Sequence, residues 1–524
     1  MADDPEPLLD AGDIQGNILP GFNRNEQYFV AFSCDNKEAL QNALAALRPR
    51  LTTLLTALDH RDERKQAFKA GFGRPRRGDL WLNLALGPRA SDALGAGTVR
   101  VLDQAFDTGM KANITGDPTA TKLTDGTPNP AHRDNWAVGS RSKPVDLFLI
   151  FAHDQNIEEE AEPIVEQASV LLGAAPNYRE KAAVLPGGIE HFGFRDGVSQ
   201  AGVRGYIREG ELKRLLTTRY GVPSRNGIDF GKPGQPLVWP GQFLTGQPNY
   251  LGDNPGLTPE FSNGSFLVFR RLSQDVAAFD SDTVVMAREL SEASGQPISP
   301  EELRARIVGR FRSGAALMRH EQDPGQAEGP DEINYFAFGI EEPSIVLADG
   351  TAVKGSPADP DVLRGRRCPV WSHIRKVNPR DLVTDISDEP QTLRFQMLRR
   401  GIPFGLPYDR ENPESAENQK ERGLLFLSYQ RSIENQFSNL NRRWMNSATG
   451  PQAGGFDLLV GQAVGEDSGL YDSKSALFFR PSPTGDEIGT PVNSPRQWVT
   501  PTGGAFLFAP SITFIDTFAP ARVA

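Results

Sequence analysis

Strand, helix, strand followed again by strand, helix, strand is spelled out along the first third of this chain, and few folds accept that order. QYFVAFS at 27–33 reads as a strand, and a helix follows over 36–58, where Leu40, Leu44, Leu47, Leu51, Leu54 and Leu58 recur at helical spacing. Asp35 with Glu38 three residues on reads as a capping box at its start. Pro49 should kink or divide it, because a proline inside a helix lacks the N–H and crowds the preceding turn. LWLNLAL at 80–86 and VDLFLIFA at 145–152 are the next strands, with a helix over 157–172 after the second. Residues 87–144 read as a helical and loop insertion. The order is that of a ferredoxin-like unit.

The second half repeats the grammar without repeating the sequence. A Gly/Pro/Asn-rich interval at 221–264 supplies turns, and an irregular piece of that length in a compact protein usually serves function or wraps a surface. SFLVFRRL at 265–272 is a strand and 273–290 is helical. Ser299 N-caps a further helix, with Pro300 in its first turn and Glu302 closing the box. GLLFLSYQ at 423–430 is a strand, 432–446 a helix and GGAFLFAPS at 503–511 a last strand. A chain of 524 residues exceeds what one core usually supports. The expected class is therefore α+β, with one unit over 1–220, a connecting segment over 221–264 and a second unit over 265–524.

Charge and cysteine usage remove several function classes. A net charge of −11 argues against a nucleic-acid or anionic-membrane surface. No run of 18 apolar residues exists and MADDPEPLLDAGD is acidic, so neither a membrane span nor a signal peptide is expected. The two cysteines, Cys34 and Cys368, form no CxxC, which excludes a disulfide scaffold, a zinc ribbon and CxxCH-type covalent haem attachment. Sparse cysteine points to a reducing cytoplasm.

Among only six histidines, His373 has unusual neighbours, in CPVWSHIRKVNPR at 368–380. Pro369, Val370 and Trp371 are apolar on one side; Arg375, Lys376 and Arg380 are cationic on the other. An iron porphyrin asks for this dressing: an apolar slot, an imidazole nitrogen for the metal, and cations for two propionates. The plain alternative is a core histidine bonded to backbone.

Taken with SHIRKVNPR, the segments HFGFRDGVSQ at 191–200 and LRRGIPFG at 398–405 closely resemble the signature segments of the dye-decolorizing peroxidases. DIQGNIL at 13–19, GLLFLSYQ at 423–430, GGFDLLVGQ at 454–462 and VTPTGGAFLFAPS at 499–511 extend the resemblance over nearly the whole chain in the family's order. It implies two ferredoxin-like halves packed sheet to sheet, with the haem pocket mainly in the C-terminal half. It implies non-covalent haem b ligated by His373, hydrogen peroxide reduced through a ferryl intermediate, and dyes, phenols or similar aromatic reductants oxidised one electron at a time.

Residue by residue, the resemblance makes Asp196, in the GxxDG pentapeptide Gly193–Gly197, the distal acid/base, and the first arginine of the LRRG pair, Arg399, the charge stabiliser, with Arg400 as the alternative. Leu424 and Phe426, alternating on one strand, would wall the distal side. Asp457 would hold the second nitrogen of His373, with Glu434 as the fallback, and Arg375 would meet a propionate. A carboxylate acceptor, unlike an imidazole, stays competent in mildly acidic solution. Trp444 and Tyr408 are candidates for oxidising dyes too large to reach the iron; Phe404 stands where relatives often carry tyrosine. A haem carrier or sensor without turnover is the alternative function. Nucleic acid and membrane are not expected as partners, and a homo-oligomer is left open.

Overall fold

Alternation along Glu26–Phe32 (β1) sets the architecture, because its two faces enter two different cores. Tyr28, Val30 and Phe32 face a layer of helices, while Phe29 and Ala31 face inward. The computed structural model describes residues 6–71, 78–209, 212–249, 256–325, 329, 331–386, 388–465, 469–472, 474–479 and 489–520.

After β1 come helices Lys37–Leu47 (α1) and Leu54–Lys69 (α2), strands Trp81–Leu86 (β2) and Leu147–His153 (β3), helix Ile157–Leu172 (α3) and strand Tyr178–Ala183 (β4). The second set is Ser265–Gln274 (β5), Val276–Ser294 (α4), Pro300–Val308 (α5), His373–Val377 (α6), Leu398–Arg399 (β6), Ile402–Phe404 (β7), Gly423–Gln430 (β8), Val499–Ala509 (β9) and Ile512–Phe518 (α7). The first sheet runs β2-β3-β1-β4 and the second β9-β5-β8-β7, which is one ferredoxin-like strand order occurring twice. The two sheets pack face to face and also join at both edges, through Phe508 opposite Leu86 and Phe404 opposite Ala182. The result is a closed eight-stranded barrel made within one chain.

Inward-facing side chains from both sheets fill the barrel. The rings of Phe148 and Phe269 lie 4.7 Å apart, with Phe29 at 6.1 Å and Tyr178 at 6.2 Å from Phe269. Arg271 crosses between the halves: on β5, it bonds Glu180 of β4 at 2.6 Å and Glu421 at 2.6 Å. With the interior filled by side chains, a large ligand must bind outside the barrel, against the outer face of β8 and the segments that cover it.

Several local expectations change. Asn36, not Asp35, caps α1, its side chain accepting from the N–H of Ala39 at 3.0 Å, while Asp35 pairs with Arg89 at 2.6 Å. The predicted helix over 36–58 breaks at Arg48–Arg50, around Pro49, as the missing N–H requires. Two edge strands, β4 and β7, escaped the pattern reading. YREKAA is polar on its exposed face, and IPF is three residues long. The helix expected over 432–446 is two wide-turn segments with i→i+5 bonding, Ile433–Ser438 and Leu440–Met445. Within the turn-rich 221–264 interval, residues 250–255 lie outside the described residues. Among the described residues no helix is long and apolar enough to cross a membrane.

Candidate active site

His373 opens α6, a helix of five residues that cannot hold itself together and is therefore bolted from outside. The bolts are the cations that the sequence placed at the rim of a pocket. Arg375 is fully buried: its Nη1 donates to the Cys368 carbonyl at 2.8 Å, and its Nε and Nη2 reach Gln452 Oε1 at 3.1 and 2.9 Å. Lys376 Nζ donates to the carbonyls of Ser447 at 3.0 Å and Gly455 at 2.8 Å, and burial pushes its pKa down to about 8. Arg375, the expected propionate partner, is not among the residues that line the cavity beside His373; its donors fix the chain around that histidine.

The imidazole is clamped from behind. His373 Nδ1 donates to Asp457 Oδ2 at 2.7 Å, and Asp457 Oδ1 accepts from the N–H groups of Leu459 at 2.9 Å and Val460 at 3.1 Å. Burial alone would raise the Asp457 pKa; His373, the Val460 N–H and nearby Lys474 more than offset it, so the carboxyl lies below its ordinary value. With Nδ1 engaged, Nε2 is the nitrogen left for the cavity. Glu434 is exposed, makes no contact of this kind, and lines a neighbouring cleft.

That cavity opens to solvent and holds about 860 Å³ of atom-free space counting its mouth. Its walls include His373, Arg399 and Phe426 together with Phe395, Met397 and Phe437. Two further cations line it, Arg310 and Arg380. Arg310 Nη2 and Arg380 Nη2 share one acceptor, Asn334 Oδ1, at 2.8 and 2.7 Å. Burial, then the like charge of Arg310, pushes the Arg380 pKa down to about 9. Two guanidiniums so close would both gain from an anion in the cavity. Arg380 was legible in the motif; nothing in the sequence near Arg310 marked it.

The pair Arg399–Arg400 is separated by the strand's alternation. Arg399 faces the cavity, its guanidinium donating to the Ser199 carbonyl, and Gln200 clamps its main chain. Arg400 points the other way and donates to the carbonyls of Asn17 at 3.1 Å and Ile18 at 2.8 Å, in the DIQGNIL segment. Phe426 and Leu424 share the outer face of β8, but only Phe426 lines the cavity; the Leu424 methyls end against Gly401.

Asp196 lies on the loop that carries Ser199 and Gln200, at an exposed position outside the cavity lining. Its Oδ1 accepts from the N–H of Gly197 at 2.6 Å, and both Gly193 and Gly197 have the positive φ, 94° and 70°, that such a turn requires. Glu190 pins the loop through the N–H groups of Phe192 at 3.0 Å and Phe194 at 2.9 Å. Trp444 is fully buried, not at the surface, edge-on to Phe395 with ring centres 5.3 Å apart and its indole N–H on Asp385 at 3.0 Å. Tyr408 lies away from the cavity lining, under Arg422.

His191, at the head of the same loop, is buried with Nε2 2.8 Å from the Phe404 carbonyl, and burial lowers its pKa to about 4. The unfolded chain binds this proton near pH 6.5 and the folded chain only near 4, so stability falls as pH drops through that window. The loss approaches an order of 3 kcal/mol. Melting curves between pH 7 and 4 should show a flatter pH slope for His191→Gln than for the wild-type chain.

A closed double ferredoxin-like barrel, carrying beside it an apolar cavity lined by one carboxylate-backed imidazole and an arginine, defines an α+β barrel protein with a candidate active site. The family model described as "DyP dimeric alpha+beta barrel domain" matches residues 13–172, and "Dyp-type peroxidase, C-terminal" matches 304–456. The dye-decolorizing peroxidase msp1 of Mycetinis scorodonius is 28% identical over 526 residues, covering 97% of this chain and 87% of that protein. The multifunctional dye peroxidase DyP2 of an Amycolatopsis species is 27% identical over 446 residues, covering 82% and 81%. Among solved structures, an ancestral D-type dye-decolorizing peroxidase superposes with a TM-score of 0.70 at 28% identity, covering 98% of this chain and all of that one. A variant of the Pleurotus ostreatus enzyme gives 0.72 at 25%, with the same coverage. The chain belongs to the dye-decolorizing peroxidase family and is a peroxidase of that type, a family of haem enzymes.

Proposed function

We propose that this chain holds haem b non-covalently on His373 Nε2, reduces hydrogen peroxide at that centre and oxidises dyes and phenols one electron at a time. The observation that carries the reading is one apolar cavity bounded by both the Asp457-backed His373 and Arg399. The residues present fit the group: an imidazole nitrogen, apolar walls, and Arg310 with Arg380 as partners for propionates in place of Arg375. When bound, haem supplies the redox centre. Asp196 takes the proton from peroxide and returns it to the leaving oxygen, and Arg399 stabilises the charge that develops as the O–O bond breaks. A carboxylate acceptor favours turnover at acidic pH. The strand order supports the division into units 1–220 and 265–524 joined through 221–264.

The test is optical. The purified protein should show a Soret band that one equivalent of peroxide shifts within milliseconds. Arg399→Leu should keep the band and slow that shift by about 10²–10³-fold, the usual cost of a lost charge stabiliser. An unchanged rate would remove Arg399 from the mechanism. The exposure of Asp196 favours a second reading, a haem carrier or sensor, in which even the wild-type spectrum bleaches only slowly.

A further inference from the structure

A second pocket, of about 780 Å³ counting the space open to solvent, is lined by four cations, Arg61, Lys65, Lys232 and Arg400. It shares Gln200 with the cofactor cavity but neither His373 nor Arg399. The four cations come from three places in the chain. Arg61 and Lys65 stand four residues apart and so share one face of α2, Lys232 belongs to the turn-rich 221–264 interval, and Arg400 follows β6. No acid stands among the described lining residues, in a protein whose net charge is −11, and the proposed peroxide chemistry uses none of the four.

The carboxylates at hand do not balance them. Asp62, outside the lining, is shared by Arg61 at 3.3 Å, Lys65 at 3.5 Å and Arg214 at 3.6 Å, and Lys232 approaches Asp331 only to 3.9 Å. Arg400 has no carboxylate partner among the described residues; its donors go to the carbonyls of Asn17, Ile18 and Arg399. Carbonyls satisfy those hydrogen bonds and leave the charge uncompensated, and burial, with the like charge of Arg399, pushes the Arg400 pKa down to about 10. Burial, then the charges of Arg61 and Lys232, likewise hold the Lys65 ammonium below its ordinary value in spite of Asp62, so the cations feel one another across the pocket. Elsewhere in this structure arginines are matched to carboxylates, as with Arg270 and Asp117 at 2.8 Å or Arg271 with Glu180 and Glu421.

Cations gathered around one opening without a matching acid favour an anion, and one of several charges satisfies four of them better than a single charge can. A lysine ammonium turns its donors to suit a phosphate, and Thr218 and Tyr220, which also line the pocket, carry hydroxyls that can donate as well. We propose that this pocket binds a compact, multiply charged oxyanion of the diphosphate class, with Lys65, Lys232 and Arg61 contacting it and Arg400 acting through its field. Binding there asks nothing of the iron and is independent of the peroxidase reading.

Isothermal titration of pyrophosphate into the protein as purified, in a buffer free of multivalent anions, tests the site directly. Saturable binding at one site per chain is expected, weakening with added sodium chloride. In Lys65→Gln/Lys232→Gln the dissociation constant should rise on the order of tenfold. Both lysine side chains are 47% exposed, so the fold does not rest on them, and the variant should keep the wild-type melting temperature and haem content. Lys37→Gln/Lys111→Gln removes the same charge at exposed positions outside the pocket and should leave the affinity within about twofold. Orthophosphate and citrate, titrated in the same way, separate a diphosphate from a single phosphate and from a polycarboxylate, and tighter binding of either would overturn the diphosphate assignment. Absence of saturable binding, unchanged affinity in the pocket variant or equal losses in the two double variants would overturn the site itself. Loss of haem from Lys65→Gln/Lys232→Gln would overturn it too, by assigning the lysines to the cofactor.

Discussion

His373→Ala protein should purify without a Soret band, and added imidazole should restore part of it. Among the residues lining the cavity there is no other histidine, cysteine or tyrosine, and the thioethers of Met397 and Met445 are weaker ligands than an imidazole. The substitution also strands Asp457, which keeps the N–H groups of Leu459 and Val460 but loses its charged-state partner inside the protein. A buried carboxylate so stripped costs about 3 kcal/mol, so the variant should melt earlier as well. Haem-to-protein ratio and a melting curve read the two effects separately; a His373→Ala protein holding one haem per chain would end the assignment. The Asp457 carboxyl, held below its ordinary pKa, contributes stability that is present above the unfolded value near 3.9 and is lost as pH falls through its lower folded value. The proximal pair therefore survives the mildly acidic range in which the proposed Asp196 chemistry operates.

Asp196→Asn should retain haem and lose fast peroxide cleavage by about 10²–10⁴-fold, the range for a lost general acid/base. Asparagine keeps the size of the side chain and can still accept the Gly197 N–H, so the turn is preserved while the proton carrier is removed. The expectation is strict because Asp196 is exposed and the contact between its loop and Arg399 runs through Ser199 and Gln200. Stopped-flow mixing of the variant with peroxide decides it. A wild-type rate would leave the carboxylate a turn residue and favour the carrier reading.

Where the chain's chemistry is written in local pattern, it could be read in advance. GLLFLSYQ gives strand β8 to the residue, the helix expected over 157–172 is α3, and Ser299-Pro300-Glu301-Glu302 gives the cap of α5, with Ser299 Oγ accepting the Glu302 N–H at 3.1 Å. Edge strands β4 and β7 were missed because their identity comes from a partner strand, Phe404 meeting Ala182, and not from a run of apolar residues.

What the sequence by itself determined is the repeated strand order and the candidates for the proposed chemistry: His373, Asp457, the arginine pair and the GxxDG loop. Tertiary structure alone decided which of them face one cavity. Alternation sent Arg399 inward and Arg400 toward Asn17, burial turned Arg375 and Lys376 into anchors, and Arg310 arrived from a distant segment to stand beside Arg380. The reason is that residue type and spacing state what a side chain can do, whereas the direction it points is settled by which carbonyls and carboxylates the fold brings within about 3 Å of it.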